Sequence, residues 1–426
     1  MKFFGSSGIR ASFDRQLLDL ALKVGLVMGS RYSSIVVGRD SRTSSVALSN
    51  ALTAGILAAG AECADAGMVP TPTLALAGKS FAAGVMVTAS HNPPKYNGIK
   101  LFNPDGSSFD AEQQRDIERI VLSGGTATAP WQKLKSCTKY PGAIEQHIAL
   151  VRQNIPSDLK LKVVVDAAGG AASLVTPRLL RELSCEVITL NCEPTGFFPR
   201  ESEPTEANLK DLAKLVVETG ANLGIAHDGD GDRMVVVDER GQFISGDRML
   251  VIFAQDMDVN EIVTTVEASM VIEDIGFKAS RTRVGDSFVS QELKAGARFG
   301  GEPCGTWVFP KLSLCPDGIF AAAKICAIAK QERLSELASK IPQFPMIRTS
   351  ISSEGISISR LKTLLESLGP QSIAETDGLK LHFGDSWLLV RPSGTEPLIR
   401  ITVEAKDDAR AHHLCSETQR LIRESK

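Results

Sequence analysis

The chain has 426 residues, 43% of them hydrophobic, which is more than one core can organise, so its length predicts three or four domains. Its 47 basic and 50 acidic side chains are scattered without long runs and leave a net charge of -3, which excludes a global field for nucleic acid or for an anionic membrane. No stretch approaches the roughly 20 apolar residues that cross a bilayer, and the opening MKFFGSSGIRASFD lacks the apolar region of a signal peptide, so the chain reads as soluble and cytoplasmic.

In chain order, three apolar runs end in an acid followed by small residues: SSIVVGRDSR (33–42), LKVVVDAAGG (161–170) and EIVTTVEAS (261–269). Each precedes a helix-compatible stretch and a second strand-like run, the βαβ order of a helix-covered, mostly parallel sheet. After the two prolines of IPQFPMI (341–347), a short helical pattern leads to GLKLHFGDSWLLVRPSG and LIRITVEAK. The expectation is therefore α/β: three similar mixed-sheet domains, 1–142, 143–240 and 241–341, and a smaller α+β domain, 342–426. Eight cysteines show no C-x-x-C pair and no histidine cluster at zinc spacing, which points to free thiols.

Five segments carry chemistry. The first, VMVTASHNPPKYNGIK (85–100), places Ser90 after a strand and just before two prolines. Prolines forbid a continuing strand or helix, so Ser90 is expected on a rigid, exposed turn. HDGDGDRMVVVD (227–238) alternates Asp228, Asp230 and Asp232 with glycines, a pattern that lets three carboxylates converge on a hard divalent cation. A calcium loop of the EF-hand type is the competing reading; Glu239 falls at its twelfth position, but Arg233 occupies the sixth, which needs glycine. Magnesium suits the pattern better, because it accepts few protein oxygens and leaves room for phosphate.

RPSGTEPLIR (391–400) gathers Arg391, Ser393, Gly394, Thr395 and Arg400 in one loop. Guanidinium, hydroxyl and backbone N–H donors of that kind cradle phosphate. GGEPCG (300–305) offers Glu302 to sugar hydroxyls, and the glycine-rich FGSSGIR (4–10) ends in Arg10, a cation that can face a phosphate.

Together these segments resemble, in order and approximate spacing, the α-D-phosphohexomutase family, and the resemblance covers essentially the whole chain. It implies four domains around a central cleft and a magnesium-dependent transfer through phosphoserine at Ser90. Asp228, Asp230, Asp232 and the Ser90 phosphate are the implied metal ligands, and Arg391, Ser393, Gly394, Thr395 and Arg400 the implied phosphate site. Lys100 and Arg10 are the implied acid–base candidates, His91 stabilises transferred charge, and Arg233, Arg283, Glu302 and Cys304 face the substrate. Cys304 stands where the family commonly has serine, and Thr306 where it has histidine, which puts the pattern of hydroxyl recognition in question.

The GEPCGTW segment, continuing into CPDGI, is similar to archaeal members acting on glucosamine phosphates. Interconversion of glucosamine 6-phosphate and glucosamine 1-phosphate, with a sugar bisphosphate as intermediate and activator, is the implied reaction. A phosphomannomutase or phosphoglucomutase is the alternative, and a non-catalytic sugar-phosphate-binding protein the remote one. The implied partner is a hexose or hexosamine phosphate, with no nucleic acid and no membrane; a homodimer is left open.

Overall fold

A computed structural model describes residues 3–5, 8–352, 358–392 and 398–424. Among these, the first unit is built on a seven-stranded sheet. Strands Ser34–Arg39, Glu62–Met68, Ala83–Val87 and Cys137–Lys139 run parallel, whereas Gly8–Ser12 and Tyr96–Phe102 are antiparallel. Register pairs Arg10 with Gly98 and Lys100 with Met86, so the amino-terminal strand is laid beside the return strand of the Ser90 loop.

The second sheet pairs Leu223–His227, Lys162–Asp166 and Glu186–Leu190 in parallel and closes with antiparallel Met234–Asp238 and Phe243–Ile244. It therefore continues to Ile244, past the division expected after residue 240. The third sheet sets Lys278–Thr282, Glu261–Thr265 and Gly300–Glu302 parallel, with Thr306–Val308 antiparallel to the last. In the fourth unit five described strands, Met346–Ser352, Leu398–Ala405, Ser386–Pro392, Leu379–His382 and Ser372–Ala374, are all antiparallel, and the long helix Asp408–Glu424 packs on them. Three mixed α/β units followed by an α+β unit are thus as expected.

The cores divide less evenly. Leu48, Leu52, Val85 and Ile99 belong to a cluster confined to the first unit, and Leu388, Ile401 and Leu414 to one confined to the fourth. The second and third units instead share one continuous cluster, in which Val163 and Ile225 join Phe253, Trp307 and Ile325. The cause lies in helix Gly318–Gln331: it is rich in alanine, most of its side chains are buried, and it contacts both units. A helix apolar on more than one face needs partners on more than one side. No helix of the described residues is long and apolar enough to cross a membrane.

Candidate active site

Ser90 lies between strands Ala83–Val87 and Tyr96–Phe102, as expected, but it is only 2% exposed. The expected exposed turn is therefore a buried one, because the aspartate loop covers it: a Cβ added at Gly229 would stand 2.7 Å from the Ser90 carbonyl oxygen. Only glycine allows that approach. Ser90 has φ +50°, a left-handed conformation that costs a non-glycine residue on the order of 1 kcal/mol. Arg42 holds it there. Its guanidinium donates to the carbonyl oxygens of Ser90 and Asn92 at 2.7 Å, of Pro93 at 2.8 Å and of Tyr96 at 2.9 Å, and pairs with Asp40 at 3.0 Å. Thr88 accepts from the Ser90 N–H at 2.9 Å and donates to Asp40 at 2.7 Å.

The Ser90 hydroxyl donates to Asp228 Oδ2 at 2.7 Å and lies 3.4 Å from His91 Nδ1. Burial, with the charges of Arg233 and Arg10, pushes His91 down to about 2. His91 is thus a neutral hydrogen-bonding partner, and the positive charge beside it is arginine. Arg10 itself donates to Asn92 Oδ1 at 3.2 Å, which brings it to the edge of the serine loop.

Asp228, Asp230 and Asp232 occupy the connection between Leu223–His227 and Met234–Asp238, with one oxygen from each lying within 4.8 Å of the others. Each carboxylate has one pinned side. Asp228 Oδ1 accepts from the N–H groups of Gly231 and Arg233, at 3.0 and 3.3 Å. Asp230 Oδ2 accepts from Thr71 Oγ1 at 2.6 Å and Lys100 Nζ at 2.7 Å, and Asp232 Oδ2 from Lys100 at 2.6 Å. Asp230 Oδ1 and Asp232 Oδ1 are buried with no hydrogen-bond partner among the described residues. Such orphaned anionic oxygens are costly unless a cation takes them. Burial and mutual repulsion raise Asp228 and Asp232; at Asp230 the upward push of burial is outweighed by Lys100. The residues present fit a hard divalent cation. Lys100, although burial works against its charge, is held as an ammonium by Asp230 and Asp232.

Glu302 ends its short strand, with Oε2 accepting from Gly285 N at 3.0 Å and Oε1 from Thr306 Oγ1 at 3.1 Å. The threonine in the histidine position thus orients the glutamate. Burial, then the charge of Asp286, pushes Glu302 up to about 7. Cys304 opens to solvent in the same loop. Arg233 links the two loops. It bridges to Thr306 through the backbone and pairs with Glu203 at 2.9 Å.

On the fourth unit, Arg391 and Arg400 are register partners on adjacent strands. Arg391 contacts Glu267 at 2.6 Å and Asp377 at 2.9 Å. Arg283 donates to the Thr376 carbonyl at 3.1 Å, which places it at the seam between the third and fourth units. Ser393, Gly394 and Thr395 lie outside the described residues.

Arg42, Asp40, Thr71 and Asp286 were not anticipated. Arg42 and Asp40 had a signal in GRDSR, a strand ending in an acid and a base that bury together. Thr71, between Pro70 and Pro72, offered none, since its partner is distant in sequence.

A buried serine and an acidic triad thus meet where three α/β units join, with an arginine-bearing fourth unit beside the third. Models of phosphoglucomutase/phosphomannomutase domains match in order: α/β/α domain I at residues 1–127, domain II at 139–241, domain III at 245–344 and the C-terminal domain at 354–421. The chain belongs to this family and is a phosphohexomutase, an intramolecular phosphotransferase of the isomerase class. A Methanosarcina barkeri protein named probable phosphoglucosamine mutase is 46% identical over 420 residues, 96% of each chain. One of the same name from Pyrococcus abyssi is 40% identical over 444 residues, covering 100% of this chain and 98% of its own. Among solved structures, a phosphoglucomutase/phosphomannomutase family protein from Burkholderia thailandensis has a TM-score of 0.89 at 28% identity, covering 99% of this chain and 97% of its own. The fold is also that of Aspergillus fumigatus N-acetylphosphoglucosamine mutase, solved with GlcNAc-6P and magnesium, at TM-score 0.61, 15% identity and coverage of 100% and 96%.

Proposed function

We propose that this chain interconverts glucosamine 6-phosphate and glucosamine 1-phosphate in the cytoplasm through a phosphorylated Ser90, with a sugar bisphosphate as intermediate and activator. The observation that carries the chemistry is the Ser90 hydroxyl 2.7 Å from Asp228, inside a triad whose other two carboxylates each keep a bare oxygen. The names of relatives 40–46% identical over nearly the whole chain support the amino sugar.

Magnesium bound by Asp228, Asp230, Asp232 and the Ser90 phosphate would neutralise charge on the moving phosphoryl group. The protein does the positioning. Once Ser90 is phosphorylated it no longer donates to Asp228, so Asp228 Oδ2 joins Asp230 Oδ1 and Asp232 Oδ1 as a free anionic acceptor. Arg42 keeps the serine aimed. A substrate hydroxyl attacks phosphorus, the Ser90 Oγ–P bond breaks, and the hydroxyl's proton passes to a base. Lys100, an ammonium doubly hydrogen-bonded to Asp230 and Asp232, can accept a proton only after giving up one of its own and shedding those contacts, and Arg10, whose guanidinium stays protonated, would face the phosphoryl charge as a cation. Ser90 Oγ takes up a proton as it leaves; the bisphosphate turns over, Ser90 Oγ attacks the phosphorus of the original phosphate and gives its proton back to the base, the sugar O–P bond breaks, and a proton passes to the product oxygen.

Glu302, with Cys304 and Arg233, would hold sugar hydroxyls. Arg391 and Arg400, with Ser393, Gly394 and Thr395, would hold the phosphate that is not being transferred, and Arg283 would act from the seam.

The test is magnesium-dependent turnover of glucosamine 6-phosphate, mannose 6-phosphate and glucose 6-phosphate by phosphorylated protein, with Ser90→Ala as control. A clear preference for glucosamine and an inactive variant are expected. Preference for mannose or glucose would overturn the substrate, and an active Ser90→Ala protein would overturn the phosphoserine.

A further inference from the structure

Thr73, His147 and Asp317 form a buried array that no step above uses. Thr73 Oγ1 lies 2.8 Å from His147 Nδ1, and His147 Nε2 lies 3.0 Å from Asp317 Oδ2. Its order is that of a hydrolytic triad, but the three residues are 0%, 1% and 5% exposed, so no substrate reaches the hydroxyl. An Nε2–H donated to the Asp317 carboxylate would leave Nδ1 to accept from the Thr73 hydroxyl.

What the array joins is informative. Thr73 sits on helix Thr71–Ala77 of the first unit, two residues beyond Thr71, which donates its hydroxyl to Asp230 Oδ2 at 2.6 Å and its backbone N–H to the Asp230 carbonyl at 2.8 Å. His147 is on helix Ala143–Asn154. Asp317 belongs to the third unit and heads helix Gly318–Gln331, capping it through bonds from Ile319 and Phe320 N–H at 3.0 and 2.9 Å.

The aspartate loop touches segments next to both ends of this array. A Cβ added at Gly231 would meet Ala172 at 3.2 Å, Pro70 at 3.3 Å and Ile319 at 3.7 Å; one added at Gly318 would stand 2.7 Å from the carbonyl oxygens of both Gly231 and Arg233. One wall therefore immediately precedes Thr71, and the other is the helix start that Asp317 caps. His147 ties them together, outside the loop and out of contact with its carboxylates.

We propose that His147 is a positioning residue: by bonding Thr73 to Asp317 it fixes the two walls around residues 228–233 and, through Thr71, the orientation of Asp230, and so sets the loop's affinity for a divalent cation. The inference rests on the reading that this loop holds such a cation. Partners that orient metal-ligating carboxylates are commonly worth about 10–100-fold in metal affinity. Thr71, one step from the metal, is expected to show that range, and Thr73 and His147, two steps away, a several-fold effect.

The test is titration of Mn²⁺ into unphosphorylated full-length protein, followed by calorimetry and by water-proton relaxation, for wild type, Thr71→Val, Thr73→Val and His147→Gln. Melting temperature is recorded for each. Thr73→Val keeps the shape of the side chain and decides the matter if His147→Gln does not fold. Weaker Mn²⁺ binding in Thr73→Val, together with a raised magnesium requirement and a kcat restored at saturating metal, is the expected result. Variants that bind Mn²⁺ as tightly as wild type, whatever their melting temperature, would overturn the proposal. A wild type that binds no Mn²⁺ would overturn the metal reading beneath it.

Discussion

The floor of the cleft and the wall supplied by the fourth unit hold their charged groups in different ways. On the floor, Ser90, Lys100, Asp228 and Asp230 are almost wholly buried, and each is fixed by partners that are themselves buried, among them Arg42, Asp40 and Thr71. Arg391 on the fourth unit is gripped by Glu267 and Asp377, carboxylates with partial access to water. The fourth unit meets the third through a small apolar cluster around Val266, Trp387 and Leu389, supplemented by polar bonds such as Glu404 to Met270 N–H at 2.8 Å and Lys380 to the Val266 carbonyl at 2.6 Å. Burial makes the floor rigid, because a displaced group has no water to fall back on. Partial exposure leaves the wall replaceable contact by contact, which would suit the proposed role of binding each end of the sugar in turn.

That contrast can be broken at graded points. Arg42→Met should have the largest effect, about 3–5 kcal/mol of lost stability, since it strands the buried Asp40 carboxylate and Ser90 carbonyl and frees three part-buried carbonyls of the same loop; denaturant unfolding checks it, and a loss below about 1 kcal/mol would mean that the serine loop needs no such strut. Glu302→Gln comes next and carries a sign. The folded pKa of Glu302, about 7, stands above the ordinary 4.5, so its stabilising contribution is complete at low pH and is lost as pH rises through about 7. Relative to wild type the variant should gain up to about 3 kcal/mol between about pH 4 and about pH 8, read from metal-free unfolding curves at both ends, while losing turnover.

Smaller effects belong to the wall. Arg391→Lys keeps the charge but loses the planar fork, so KM should rise about tenfold with kcat little changed; an equal fall in kcat would place Arg391 in the transition state instead. Asp274→Asn, which breaks the half-exposed pair with Lys406 across the same seam, should cost less than about 1 kcal/mol, visible as a small melting shift that added salt erases.

Much of this was legible in the chain. Ser90, the three aspartates, Glu302 and Arg391 could be named because each lies in a short segment whose glycines and prolines mark a strand-to-loop turn, and turn chemistry is local. The three α/β units were legible for the same reason, as apolar runs closed by an acid and small residues. What the sequence did not disclose is long-range. Arg42 meets carbonyl groups some fifty positions away, Thr71 meets Asp230 across 159 positions, and His147 meets Asp317 across 170. Ser90 was expected in the open because its own segment contains nothing that covers it; the lid is Gly229, from another unit. The shared core of the second and third units escaped notice likewise, since a helix buried on several faces does not announce how many neighbours it has.

The central claim is that phosphoryl groups pass through Ser90, and the most direct measurement follows one there. Dephosphorylated protein is incubated with a hexosamine 1,6-bisphosphate carrying labelled phosphate, and the label is mapped by peptide mass spectrometry in wild type and Ser90→Ala. The account predicts label on Ser90 alone, with glucosamine monophosphate released and no label in the variant. Label on another residue, or equal labelling of the variant, would contradict it.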